Sequence, residues 1–185
     1  EEMNRTRALL AGVMRRLAAL GHGCWLPDLG GTGESERPLA AVEWEDWRGD
    51  VAGAAAHVAA QAGPPLVASL RGGTLIDDCA KARGWWRFAP VEGTALVRDM
   101  VRAGLAGVEW AGYAPSGALK AGLGDAKPAE VAPLRLARLA TDAAAADVKL
   151  AGPALWRRSE PGFSAPLADA IAADIDQWSR ACAAS

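Results

Sequence analysis

The stretch Leu66-Val67-Ala68-Ser69-Leu70-Arg71-Gly72-Gly73 holds the residues best placed to do chemistry. Leu66 to Ala68 is a short apolar run that reads as a strand, Gly72 and Gly73 mark a tight turn, and Thr74 to about Ala82 reads as a helix. Strand, sharp turn and helix form the elbow that lifts a nucleophilic serine, with the pattern G-x-S-x-G. Here the five positions are Ser69-Leu70-Arg71-Gly72-Gly73, so a small residue stands first, glycine last and Arg71 in the centre. Arginine keeps its proton near neutral pH, with a pKa above about 12, and serves as neither nucleophile nor base. Centring the frame on Ser69 places Val67 and Arg71 at the flanks, and both are too large for the turn.

Several elements must position this turn. Asn4 to Leu20 reads as an amphipathic helix, with Leu9, Leu10, Val13, Met14, Leu17 and Leu20 at helical spacing. Gly21 and Gly23 end it and lead into a short strand, Cys24-Trp25-Leu26. Val42 to Gln61 reads as a second helix, stopped by Gly63-Pro64-Pro65 just before the elbow strand. Trp85 to Ala89 reads as a buried strand, Thr94 to Ala103 as a helix and Glu109 to Tyr113 as extended or irregular chain. Pro115 to Leu123 reads as a short helix or turn, and Leu134 to Ala140 as a strand with Thr141-Asp142 at its end. Val148 to Leu155 reads as a strand interrupted by Gly152-Pro153, and Ser164 to Ala181 as the last helix. Helices alternating with short apolar strands predict a single α/β domain, a mostly parallel sheet in a three-layer arrangement.

Composition narrows the classes. The chain has 185 residues, 51% hydrophobic content and a formal net charge of −2. No basic block points to nucleic acid, and no apolar run approaches the roughly 18 residues of a membrane span. The three cysteines, Cys24, Cys79 and Cys182, have no disulfide or metal-site spacing and read as reduced thiols of a cytoplasmic protein. No metal or organic cofactor is expected. Gly31-Thr32-Gly33 follows a strand, but the third glycine of G-x-G-x-x-G is missing and no helix opens there, which excludes a dinucleotide fingerprint.

Several segments together resemble a known family. Asp28 to Ser35 fits D-x-x-G-x-G-x-S, the loop after a central strand in α/β-hydrolases. With Glu1-Glu2-Met3-Asn4-Arg5-Thr6-Arg7, Trp44-x-x-Trp47-x-x-Asp50, Leu70-Arg71-x-Gly73-x-Leu75 and Phe88-Ala89-Pro90-Val91, the chain resembles the second type of exosortase (PEP-CTERM) system-associated hydrolase. Ala111-Gly112-Tyr113 and Gly152-Pro153-Ala154-Leu155-Trp156 extend the likeness over most of the chain. The resemblance implies an α/β-hydrolase-like fold, cleavage of ester, thioester or related acyl bonds, and a place beside exopolysaccharide and protein-sorting functions. It also implies strands before residue 1, hence a domain truncated at its N-terminus or reduced.

A Ser-His-acid machine needs a nucleophile, a histidine to take its proton and an acid to orient that histidine. Asp142 matches the acid position, but the only histidines, His22 and His57, both precede the elbow. Where the histidine loop belongs stand Trp156-Arg157-Arg158-Ser159-Glu160. The standard triad is absent, and the expected activity is lost or unconventional. Arg71 has two readings: an anion site at a helix N-terminus, or a pair with a buried carboxylate, Asp142 or one of Glu1 and Glu2, the second being favoured. The candidate site is therefore Ser69, Arg71 and Asp142 at the chemical centre, with Glu1, Glu2, Gly72 and Trp156 as ligand contacts. Trp85 and Trp86 are further candidates to line a pocket at the strand ends. A small acyl or sugar-linked anion is the expected ligand. The alternatives are an active acyl hydrolase using Ser69 or Cys79, and an interaction module without a small-molecule site.

Overall fold

The computed structural model describes residues 2–103, 114–158 and 161–183. Its described residues form five α-helices and four strands, mostly in successive pairs. In chain order they are α1 (Glu2–Ala19), α2 (Trp44–Ala62), β1 (Leu66–Leu70), β2 (Gly84–Phe88), α3 (Gly93–Ala103), α4 (Gly117–Asp125), β3 (Leu134–Leu139), β4 (Val148–Leu150) and α5 (Ala165–Ala183). The strands form one all-parallel sheet in the order β1-β2-β3-β4. The protein is an α/β fold, and none of its described helices is long and apolar enough to cross a membrane.

The register decides which side chains share a face. Ala68 pairs with Trp86, and Phe88 with Ala137. Because side chains alternate along a strand, Trp86, Phe88, Ala137, Leu139 and Leu150 all point to one side. There they pack against the buried stripes of α1 (Leu9, Val13, Leu17) and α5 (Leu167, Ala168, Ile171, Ile175) to form the main core. Removing a side chain such as Phe88 from this core costs about 3–5 kcal/mol.

The same alternation turns Ser69, Trp85, Arg87 and Arg138 to the other side. A carboxylate braces each face. On the core side Arg135 donates to Asp174 of α5 through Nη2 at 2.6 Å and Nε at 2.9 Å, and the Trp86 indole adds a bond at 2.7 Å. On the other side Arg87 donates to Asp77 at 2.5 and 2.8 Å, and both residues are almost fully buried. Buried charges persist only when paired and hydrogen-bonded, which these are.

Two sequence expectations are corrected. Cys24-Trp25-Leu26 is not a strand; Trp25 and Leu26 are exposed, and no described strand lies beside them to pair with. A β-strand takes its backbone partners from a neighbour, which local pattern cannot supply. Thr74 to Ala82 is not a helix either. It breaks into two 3-10 turns, Arg71–Leu75 and Asp77–Cys79, on either side of Ile76. The break lets Asp77 reach inward to Arg87 and Ser69, contacts that a continuous helix would not be free to make. Val148 to Leu155 is strand only to Leu150, after which a further short 3-10 turn, Leu155–Arg157, carries Trp156 and Arg157. The segment Glu109 to Tyr113 lies outside the described residues.

Candidate functional site

The carboxyl ends of the strands in an open parallel sheet are where such folds bind ligands. A cavity of about 270 Å³ opens there, walled by the segments that follow the four strands. Arg71 comes from the turn after β1, Ala89 and Pro90 from the end of β2, Arg138 and Asp142 from the end of β3 and its loop, and Trp156 and Arg157 from the turn after β4.

Backbone conformation singles out this cavity. Arg71 has φ 51° and Ala89 φ 48°, the two positive values recorded for described residues other than glycine. The left-handed region costs a residue with a Cβ roughly 1–2 kcal/mol, and Ala89 adopts it immediately before a proline, where the backbone is restricted further. Both strained residues line the same cavity. Strain of this kind gathers at functional sites, where the surrounding structure over-determines the backbone. Arg71 thus holds the central position of a sharp turn after a strand, as its sequence frame predicts, although the helix that should follow is a five-residue 3-10 turn. So short a turn has too few aligned peptides to offer an anion the dipole of a regular helix.

The Arg71 side chain is 13% exposed, and its guanidinium carbon stands 5.0 Å from the centroid of the Trp156 ring. Its Nη2 lies 3.6 Å from an Asp99 oxygen of α3, and Asp99 is half exposed. Asp142 accepts from Arg138 Nη1 at 2.8 Å and from the Ala144 amide at 2.9 Å. That amide and the Arg138 guanidinium hold its carboxyl below the usual carboxylate range. Arg138 Nε is buried with no hydrogen-bond partner, a costly state for a donor of this strength.

The structure brings Arg71, Asp142 and Trp156 to one cavity. Gly72 is the second residue of the Arg71–Leu75 turn. The Ser69 hydroxyl donates to Asp77 at 2.5 Å, on the sheet face beside the Asp77–Arg87 pair. That carboxylate also accepts two bonds from Arg87, so the Ser69 hydroxyl is one of three donors on Asp77. Cys79 follows Asp78, and burial pushes its thiol up from the ordinary value, which disfavours the thiolate. Glu1 lies outside the described residues, and Glu2 is the first residue of α1. Trp85 lines a separate open cleft at the amino ends of the strands, and Trp86 belongs to the core. His22 bonds Asp176 of α5 at 2.8 Å and His57 bonds Gln61 at 2.6 Å, so both histidines serve helices away from the cavity.

The Asp28 to Ser35 loop ties itself down. The Glu34 amide donates to Asp28 and the Gly31 amide to Ser35. From α2, Asp50 accepts the Gly30 amide at 2.8 Å, and the Trp47 indole donates to the Gly30 carbonyl at 2.8 Å. Trp47 and Asp50 of the W-x-x-W-x-x-D pattern thus anchor the loop, while Trp44 packs against the cluster of Leu75, Leu96 and Leu123.

Sequence reasoning passed over Arg138 and read Arg157 only as an occupant of the histidine loop. One signal was available. Alternation in Leu134–Leu139 places a cation where Leu134 and Leu136 share its face, close to Asp142. No group of three His, Cys, Asp or Glu side chains among the described residues could hold a metal ion. No family model, curated protein or solved structure matches this chain.

Proposed function

We propose that this chain has an α/β-hydrolase-like frame, related to the exosortase-associated hydrolases, in which the nucleophile position has become an anion-binding arginine. It acts by holding a small organic anion, not by cleaving an acyl bond, in an exopolysaccharide or protein-sorting setting. The observation that carries this reading is Arg71. Its backbone is strained at φ 51° at the turn after β1, and the residue lines the cavity at the strand ends. Strain is retained at the position where a hydrolase would present its serine, while the side chain there can only attract negative charge.

The test is hydrolysis of short-chain nitrophenyl esters and acyl thioesters by wild type, Ser69→Ala and Arg71→Ala, read against a mock preparation of equal purity. No turnover above the mock, together with anion binding that Arg71→Ala removes, is the expected result. Turnover by wild type that disappears in Ser69→Ala would reinstate a shifted nucleophile and sink the proposal.

A further inference from the structure

The two outer edges of the sheet are finished differently. β4 is short, Val148–Leu150, and its middle residue, Lys149, is exposed and donates to the carbonyls of Asp142 and Ala144. Gly152 and Pro153 follow closely, and proline offers no amide to a further strand. A short strand with a lysine on it and a proline close behind is a blocked edge.

β1 has none of these devices. Leu66-Val67-Ala68-Ser69-Leu70 is five residues long and holds neither a charge nor a proline. It pairs with β2 on one side, and no described backbone group bonds to its other side. Successive residues of a strand offer their amides and carbonyls to opposite sides, so part of this ladder faces outward without a partner.

Ala68 marks how far the covering helices reach. It lies level with Trp86 and faces the core side with it, yet Trp86 is 2% exposed while Ala68 is exposed. On that face α1 and α5 cover β2 and leave the middle of β1 open. Cys24 packs against the same core as Leu66 and Leu70, and the two residues after it, Trp25 and Leu26, stay exposed. An unpaired ladder bordered by uncovered apolar groups is a surface suited to pairing.

The strand is also its own complement. Turned about a two-fold axis beside Ala68, perpendicular to the sheet, it runs antiparallel to its copy. Leu66 then meets Leu70, Val67 meets Ser69 and Ala68 meets Ala68. The rotation keeps each face on its own side, so Leu66 and Leu70 stay with the core layer in both copies. No like charges meet, because the strand carries none. The contact is isologous and consumes both open edges, so with β4 blocked the association stops at two.

We infer that two copies of this chain associate edge to edge through β1, extending the four-stranded sheet across a two-fold axis. The contact is independent of the anion-binding reading above. Five residues make a small interface, so the dimer is reversible, with a Kd of about micromolar or weaker.

Analytical ultracentrifugation of the full chain from about 1 to about 300 μM tests it. The average mass should rise from that of the monomer toward twice that value. Val67→Lys puts a charge on the edge and should weaken association about tenfold or more, with helix content by circular dichroism unchanged. Ala68→Cys places two cysteines at the two-fold centre, where opposed antiparallel residues have Cα atoms about 4.5–5.5 Å apart, within reach of a disulfide. Mild oxidation should give it a dimer band on a non-reducing gel, while wild type, which holds only Cys24, Cys79 and Cys182, should stay monomeric on the same gel. Should Val67→Lys fail to fold, the ultracentrifuge and cross-linking arms still decide. A chain that remains monomeric throughout, whether its β1 edge is free or covered by another segment, overturns the inference. So does a dimer that Val67→Lys leaves intact or that Ala68→Cys fails to cross-link, since its contact would lie elsewhere.

Discussion

The Arg71 guanidinium carbon stands 5.0 Å from the centroid of the Trp156 ring, joining the turn after β1 to the turn after β4. Both turns are short 3-10 segments, and this contact across the cavity, with Asp99 on the other side of the guanidinium, helps to fix where the charge sits. A cation over an aromatic face gains about 0.5–2 kcal/mol depending on how far it is desolvated.

Arg71 separates binding from stability. Arg71→Gly removes the cation–π contact but also relieves the positive φ, effects of opposite sign and each about 1 kcal/mol. Urea unfolding should place the variant within about 1 kcal/mol of wild type, while anion binding is lost. Arg71→Val, β-branched and ill suited to φ 51°, should be destabilised by a further roughly 1–2 kcal/mol. Equal stabilities for the Gly and Val variants would show that the turn is not strained.

The two groups on Asp77 should differ sharply in weight. Asp77→Ala leaves Arg87, 3% exposed, charged and without its carboxylate, at a cost of about 3–5 kcal/mol. Ser69→Ala removes one donor from the same carboxylate and should cost about 1 kcal/mol. A Ser69→Ala loss as large as that of Asp77→Ala, measured by chemical denaturation, would contradict this ranking.

Asp174 should shape the acid limb of stability. Burial pushes its carboxyl up, but the Arg135 and Trp86 bonds outweigh this and leave its pKa below the ordinary value. A depressed folded pKa means a contribution fully present above the unfolded value, about pH 4, and lost as pH falls through the folded one. Urea midpoints between pH 6 and pH 2.5 should fall more steeply for wild type than for Asp174→Asn. Parallel curves would remove Asp174 from the account.

The cysteines should be sluggish. Burial pushes the thiols of Cys24, Cys79 and Cys182 above their ordinary values. Iodoacetamide at pH 7.5 should alkylate all three more slowly than free cysteine. Rapid, selective labelling of Cys79 would revive it as a nucleophile.

Periodicity in the sequence carried the five helices and the strands β1 to β3 well, because each has its own apolar stripe or run. Leu9, Val13 and Leu17 are spaced as a buried helix face requires, and they are buried. Cys24-Trp25-Leu26 is as apolar as a strand, yet a strand exists only through its neighbour. The Asp77–Cys79 region read as helix because local pattern does not register an ion pair to Arg87 on the next strand. The strained turn at Arg71 was legible from Gly72, Gly73 and the run before them. The carboxylate arrangement was not: Asp99 of α3 stands beside Arg71 and Asp142 pairs with Arg138, neither of which the sequence suggested, while Glu1 lies outside the described residues. Which arginine meets which carboxylate is settled by strand order, and that is a property of the whole sheet.

The carboxylates Asp77 and Asp174 lie on opposite sides of β2, each bonded to one of its side chains, Arg87 and Trp86. β2 is also hydrogen-bonded to strands on both flanks. To free its backbone, solvent must break ladders on two edges and charge-assisted bonds on two faces in one event. The amides of Trp86 to Phe88 should therefore exchange with deuterium only by global unfolding, as the slowest clock in the molecule, while those of Gly30 and Gly31, held by single side chains on a surface loop, exchange through local opening long before.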